Sequence, residues 1–209
     1  MIDIERCTPT NRVTWSIHVD EVDDLRPARS SIHVTEVDGR RRAAGAKLES
    51  LLAQGEKATW MDLEKELMAL ASAGPAAAPA LGAIRACLSL PKYHVKRAAA
   101  VALAFVGRDR SGLAALREDY SAFFADSTMA FAPNGEIVAQ AIVYLEPDDA
   151  AARRALGLTP GPLLTSVTRR AIRGPRCEPL LRLLLSRPDV ASAARDAGAS
   201  AQQPSQSPR

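Results

Sequence analysis

Two histidines occupy matching places in a short internal repeat near the start of the chain. Ser31-Ile-His33-Val nearly repeats Ser16-Ile-His18-Val, and the carboxylates of Asp20 and Glu36 follow the two copies. Imidazoles and carboxylates are common metal ligands, so one interpretation of the pattern is a metal site. No third or fourth ligand follows at a diagnostic spacing, and we therefore expect an exposed polar strand face with no metal and no cofactor.

Arginines form the second group with binding chemistry. They lie on successive predicted helices toward the end of the chain, and the residues that we expect to contact a partner are Arg153, Arg154, Arg169, Arg170 and Arg173. Guanidinium groups bind carboxylates and phosphates, so both an acidic protein and a nucleic acid fit this set. No aromatic residues interleave these arginines, as they would on a stacking surface for bases. We therefore expect a protein partner, with nucleic acid as the alternative.

The sequence contains none of the common catalytic motifs that we sought. It has no Gly-rich phosphate loop, no nucleophile elbow and no HExxH motif. No histidine follows His94, which argues against a Ser-His-Asp or Cys-His arrangement within the second half of the chain. We therefore expect a protein that is not an enzyme.

Charge is unevenly distributed along the 209 residues, although the net charge is only +3. Residues 1–39 carry four arginines against eight acids, residues 40–150 are balanced, and residues 151–209 carry ten arginines against three acids. An acidic beginning and a basic end favour electrostatic contacts within the molecule or with partners.

Cysteine usage and apolar runs indicate the compartment. The three cysteines are far apart and form no CxxC pair, which fits a reducing compartment. The first residues are acidic and polar, unlike a signal peptide, and the longest uninterrupted apolar run, Ala98 to Val106, is about half of a membrane span. We expect a cytoplasmic protein without a membrane partner.

Hydrophobic spacing divides the chain into three predicted regions. Alternation in Val13 to Val19 and the related stretch Ser31 to Asp38 predict two strands, which would form an acidic β-hairpin cap over residues 1–39. Helical spacing punctuated by Pro and Gly predicts a helical domain over residues 40–197. Residues 198–209 have no large apolar side chain, and we expect a disordered tail there.

The helical region contains a recognisable repeat. Gly-Pro-x-x-x-Pro-x-Leu occurs at Gly74 and again at Gly174, a separation that accommodates three units of about 33 residues. After the first copy, Val95-Lys96-Arg97-Ala98-Ala99-Ala100-Val101-Ala102-Leu103 precedes Gly107. Residues 74–107 thus resemble a HEAT repeat, with Lys96 at the usual Arg position.

The resemblance implies a fold class and a mode of action. The expected fold is mostly α, a HEAT-like α-solenoid with a short N-terminal β-hairpin; an irregular helical bundle is the alternative. HEAT-like proteins act largely as scaffolds or adaptors, which implies a non-catalytic protein-binding surface. The family also includes alkylpurine DNA glycosylases, so nucleic-acid binding and an enzyme or lyase are the second and third functional hypotheses.

Overall fold

A computed structural model describes residues 2–7, 12–19, 30–37, 44–125, 133–173 and 177–187, and these are mostly helical. Contacts divide the chain into a central unit, residues 39–159, and a terminal unit formed by residues 1–38 and 160–209. The sequence predicted a different grouping, with boundaries after residues 39 and 197. Long-range contacts decide such a grouping, and periodicity along the chain does not report them. The predicted tail lies outside the described residues.

The described part of the central unit contains seven α-helices. They are α1 (Ala44–Ala53), α2 (Trp60–Ala73), α3 (Leu81–Cys87), α4 (Tyr93–Gly107), α5 (Leu113–Ala125), α6 (Pro133–Leu145) and α7 (Ala150–Ala155). Short 3-10 helices at Gly55–Lys57, Gly74–Ala80 and Arg110–Gly112 separate some of them.

Local residue chemistry explains where α2 begins and ends. The Thr59 side chain accepts a hydrogen bond from the backbone N–H of Asp62, which satisfies one free donor of the first turn. Before α2, Gly55 has a φ of 57°, and after it Gly74 has a φ of 58°. Residues other than glycine rarely adopt such φ angles. Glycine at these two positions therefore lets the backbone turn before and after α2.

Helix α4 forms the core of the central unit. Every residue from Arg97 to Val106 is buried, and Leu103 is fully buried as its position in the repeat pattern predicts. Most of these side chains are small, which lets neighbouring segments approach closely. One such close approach is at Gly112, where an added Cβ would lie 2.7 Å from Cα of Ala100.

Helices α2 and α4 run in the same direction, and the ends of α4 and α6 lie close together. Trp60 and His94 are in contact near the starts of α2 and α4, and the contact between Glu64 and Arg97 follows one turn later. Near the ends of α4 and α6, the rings of Phe105 and Tyr144 meet edge to face, 6.0 Å apart. Matching ends of these alternate helices are therefore neighbours.

The terminal unit combines strands with helices. Strands β1 (Ile2–Cys7), β2 (Arg12–Val19) and β3 (Ser30–Val37) form an antiparallel sheet in the order β1-β2-β3. Helices α8 (Leu163–Arg173) and α9 (Glu178–Leu185) pack on each other, and both contact β3. The sequence analysis did not predict β1, although Ile2-Asp3-Ile4-Glu5 alternates apolar and charged residues as a half-buried strand does, because Arg6 ends the alternation after four residues.

The two copies of the Gly-Pro-x-x-x-Pro-x-Leu pattern lie in different local structures. In the first copy, Gly74–Ala80 is a 3-10 helix and Leu81 begins α3. In the second, α9 already begins at Glu178, so Pro179 lies in the first turn of an α-helix. Pro179 is tolerated because the first turn of a helix needs no N–H donor, and the same holds for Pro75 at the start of the 3-10 helix. Pro79, the counterpart of Pro179 in the first copy, lies inside the 3-10 helix instead.

One helical stretch, Trp60–Cys87, is long and apolar enough by length and composition to cross a membrane. These criteria are weak evidence, since core helices of folded proteins also meet them. In this protein the stretch is α2, the 3-10 helix and α3 in succession, with Gly74 at the first junction.

Candidate partner-binding surface

The predicted arginine set is distributed over both units. Arg153 and Arg154 lie on α7 in the central unit, whereas Arg169, Arg170 and Arg173 lie on α8 in the terminal unit. Arg169 and Arg170 are half-buried, and the side chain of Arg173 lies outside the described part of the chain.

Arg153 has a structural role that its sequence context did not reveal. Its guanidinium donates hydrogen bonds to the carbonyl oxygens of Pro147, at 2.9 Å, and Thr159, at 2.7 Å. The side chain thereby joins the segments before and after α7. Arg154, by contrast, is exposed. Of these two residues, Arg154 is therefore the better candidate for contact with a partner.

The sheet register places the two repeat histidines on neighbouring strands. His18 pairs with Asp3 on one side and with Ser31 on the other, while His33 pairs with Ser16. Their side chains lie outside the described residues, so a metal role for them stays untested. Elsewhere in the described structure, no group of three or more His, Cys, Asp or Glu side chains is placed to hold a metal ion.

An exposed cluster on α2 and α4 is the strongest candidate surface. We call Trp60, Met61, Tyr93 and His94 the aromatic patch. Trp60 stacks on His94 with ring centres 4.8 Å apart, and Tyr93 meets His94 edge to face at 5.3 Å. Trp60, Met61 and Tyr93 are 39%, 58% and 47% exposed, and among the described side chains they are the exposed large hydrophobic ones.

A buried ion pair supports the patch from beneath. Arg97 is only 6% exposed, and its guanidinium lies 2.6 Å from the carboxylate of Glu64. The same guanidinium lies over the Tyr93 ring, 5.6 Å from its centre, and 3.4 Å from Nδ1 of His94. These contacts fix the rings of the patch on a rigid base, which reduces the entropy that a bound partner would cost.

Asp119 anchors the other end of Tyr93. This α5 residue is 2% exposed, and its Oδ1 accepts a hydrogen bond from the Tyr93 hydroxyl. The second oxygen, Oδ2, is buried and has no hydrogen-bond partner within the described part of the chain. Burial raises the pKa of Asp119 to about 6, because the charged form loses its hydration.

Sequence analysis did not identify this surface, although one signal for it was present. Trp60 and Tyr93 are the first residues of α2 and α4, and they are separated by about one repeat length of 33 residues. In stacked repeats, equivalent positions become neighbours. The period therefore contained the information that the starts of α2 and α4 lie close together.

Comparisons with known proteins do not assign this chain to a family. No protein-family profile, curated protein or solved structure matches it. The resemblance of residues 74–107 to a HEAT repeat therefore remains a prediction.

Proposed function

We propose that the protein is a non-catalytic interaction module that binds a protein partner through its helical surface, with the aromatic patch as the contact site. The observation that carries this proposal is the contact of the exposed Trp60 and Tyr93 rings with His94, beside the exposed Met61 that follows Trp60 in the sequence. Tryptophan and tyrosine are enriched among the residues that dominate binding energy at protein interfaces, and exposed methionine adapts to varied partners.

A HEAT-like solenoid is the architecture that accompanies this proposal. Its support is that matching ends of α2 and α4, and of α4 and α6, are neighbours. The contacts join residues 33 to 39 positions apart, as between Glu64 and Arg97 or Phe105 and Tyr144. The N-terminal hairpin belongs to the proposal as a cap. Buried free thiols at Cys87 and Cys177 support a reducing, cytoplasmic location.

Affinity capture from nuclease-treated lysate tests the proposed function. The full chain is compared with two variants, Trp60→Ala and Met61→Glu, and with Arg154→Glu as the control on another helix. Met61 is exposed near the start of α2, where an acidic residue is favourable, so Met61→Glu should fold normally. We expect both patch variants to lose a partner that Arg154→Glu retains.

The opposite pattern would move the contact site. If Arg154→Glu loses a partner that both patch variants retain, the contact site lies at the predicted arginines and not at the aromatic patch. Absence of any nuclease-resistant partner would contradict the proposed function itself.

Nucleic-acid binding is the second candidate, and one observation favours it. Tyr93 lies between Lys92 and His94 at the start of α4, and aromatic rings beside cations can stack on bases and contact phosphates. The stacking of His94 on Trp60 argues against it, because that ring face is already covered. Salt-sensitive binding of single strands that Met61→Glu abolishes would support this second function.

A further inference from the structure

Exposed lysines surround the aromatic patch. Lys92 and Lys96 flank Tyr93 on α4, and Lys65 follows Met61 by four residues on α2, which places it on the same helix face. All three are exposed, and none lies within ion-pair distance of a carboxylate of the described residues. We call Lys65, Lys92 and Lys96 the lysine rim.

The carboxylates near the patch are already engaged. Glu64 pairs with the buried Arg97, and Asp119 accepts the Tyr93 hydroxyl. Asp62 accepts a hydrogen bond of 2.6 Å from the hydroxyl of Thr59. Asp62 is exposed and keeps its negative charge, because the hydroxyl that donates to it is neutral. The three lysines outnumber this one exposed carboxylate, so the rim of the patch has a net positive charge.

The start of α4 adds to this positive character. Its N-cap residue is Lys92, whose side chain makes no capping hydrogen bond, so the first-turn N–H groups have no side-chain acceptor there. Helices α2 and α4 run in the same direction, and both begin at the patch. Their dipoles thus place partial positive charge beside the lysine rim.

We infer that the aromatic patch and lysine rim bind an acidic peptide segment that carries a large apolar side chain, an inference that rests on the proposed function. The apolar side chain of the partner packs against Trp60, Met61 and Tyr93. Its carboxylates lie over Lys92 and Lys96, where they also meet the start of α4. The charges of the rim select acidic partners, while the patch supplies the apolar contact area.

The exposed Met61 favours a peptide over a nucleic acid. Met61 is more exposed than Trp60 and Tyr93, and its thioether side chain offers a flexible apolar contact without a flat stacking surface. A base needs a free ring face, and His94 covers one face of Trp60. An apolar peptide side chain, by contrast, can pack against the Met61 thioether and does not need a free ring face.

Random peptides displayed on phage and selected on the full chain test the inference. We expect enrichment of peptides that combine Asp or Glu with Trp, Phe or Leu. Their affinity, measured by fluorescence anisotropy on synthetic copies, should fall with rising salt because the rim contacts are electrostatic.

Charge reversal on the rim provides the decisive variants. The double change Lys92→Glu and Lys96→Glu should weaken the selected peptides roughly tenfold or more. Arg108→Glu, at the exposed residue that follows the far end of α4, should change affinity by less than about twofold. Acidic residues are favourable at a helix start, so the double variant should keep its helicity and melting temperature. Circular dichroism checks that expectation.

Several outcomes would overturn the inference. They are enrichment of neutral or basic peptides, no enrichment at all, equal losses in the rim variant and Arg108→Glu, or an oligo(dT) strand that binds more tightly than the selected peptides. Lysate capture separates this failure from that of the proposed function. If binding of a captured partner depends on Trp60 but not on Lys92 and Lys96, the proposed interaction module is supported and the inference of an acidic ligand is rejected.

Discussion

Asp119 makes the stability of the protein depend on pH in a specific direction. Its pKa is raised to about 6 from 3.8, so the folded state holds this proton more tightly than the unfolded state. The resulting stabilisation is fully present below pH 3.8 and is lost as the pH rises through about 6. Two pKa units correspond to roughly 3 kcal/mol.

Asp119→Asn removes this proton-linked contribution. The amide oxygen still accepts a hydrogen bond from the Tyr93 hydroxyl, and the amide group does not titrate. We compare the free energies of unfolding of the variant and the unchanged protein at each pH. The difference, variant minus unchanged protein, should rise by roughly 2–3 kcal/mol between pH 4 and pH 7.5. Urea denaturation at several pH values measures this, and parallel stability curves would refute it.

A second residue-scale prediction concerns the two cations near the start of α4. The repeat pattern drew attention to Lys96, yet the structure buries Arg97 and leaves Lys96 exposed. Arg97→Met leaves the carboxylate of Glu64 without its partner and should cost roughly 2–4 kcal/mol. Lys96→Met, the matched control, should change stability by about 0.5 kcal/mol or less. Thermal unfolding compares the two, and equal effects would contradict the ion pair.

Sequence alone could not distinguish these two cations. A heptad or repeat pattern reports which helix face is apolar, but a long arginine side chain can reach a partner on a neighbouring helix. Glu64 lies 33 residues before Arg97, and only the packing of α2 on α4 brings them together. For the same reason, Tyr93 and Asp119 could not be paired from the sequence.

At the scale of the elements, most helices were predictable because their limits depend on local chemistry. The spacing of Leu63, Leu67 and Leu70 predicts the apolar face of α2, and all three are buried. Thr59 followed by Asp62 matches a capping box in the sequence, and the Thr59 side chain caps α2. Strand β1 was missed although Ile2 and Ile4 alternate with charged residues, because Arg6 ends the alternation after four residues. The predicted helical domain extends to residue 197, and its part after residue 187 lies outside the described part of the chain.

The approach of residues Arg110–Gly112 to α4 leads to a prediction with an internal control. A Cβ at position 112 would lie 2.7 Å from Cα of Ala100, so Gly112→Ala must displace backbone and should cost roughly 1–3 kcal/mol. Gly82, in α3, has no atom within 4 Å of such a Cβ. Gly82→Ala should stabilise by roughly 0.5–1 kcal/mol through helix propensity. Denaturant midpoints with unchanged slopes measure both, and a neutral Gly112→Ala would contradict this close approach.

At the scale of the molecule, the association of the N-terminal strands with the last helices was beyond sequence reasoning. The acidic beginning and basic end of the chain indicated mutual attraction, but charge counts do not specify which elements pack. In the terminal unit, β3 contacts α8 and α9. The partner-binding prediction likewise identified the basic end from composition, whereas the aromatic patch emerges only when α2 and α4 are packed.

Removing residues 1–39 tests this grouping. Val167, Leu180 and Leu181 are fully buried in α8 and α9, and loss of the strands that contact these helices should weaken their packing. We therefore expect faster amide hydrogen exchange in α8 and α9, while α2 and α4 keep their protection because their contacts lie within the central unit. Removing residues 198–209 is the control, and it should leave exchange in all four helices unchanged, since that segment offers no large apolar side chain. Unchanged exchange in α8 and α9 would show that the strands do not stabilise them. Equal acceleration in α2 and α4 would instead show that the whole chain unfolds as one unit.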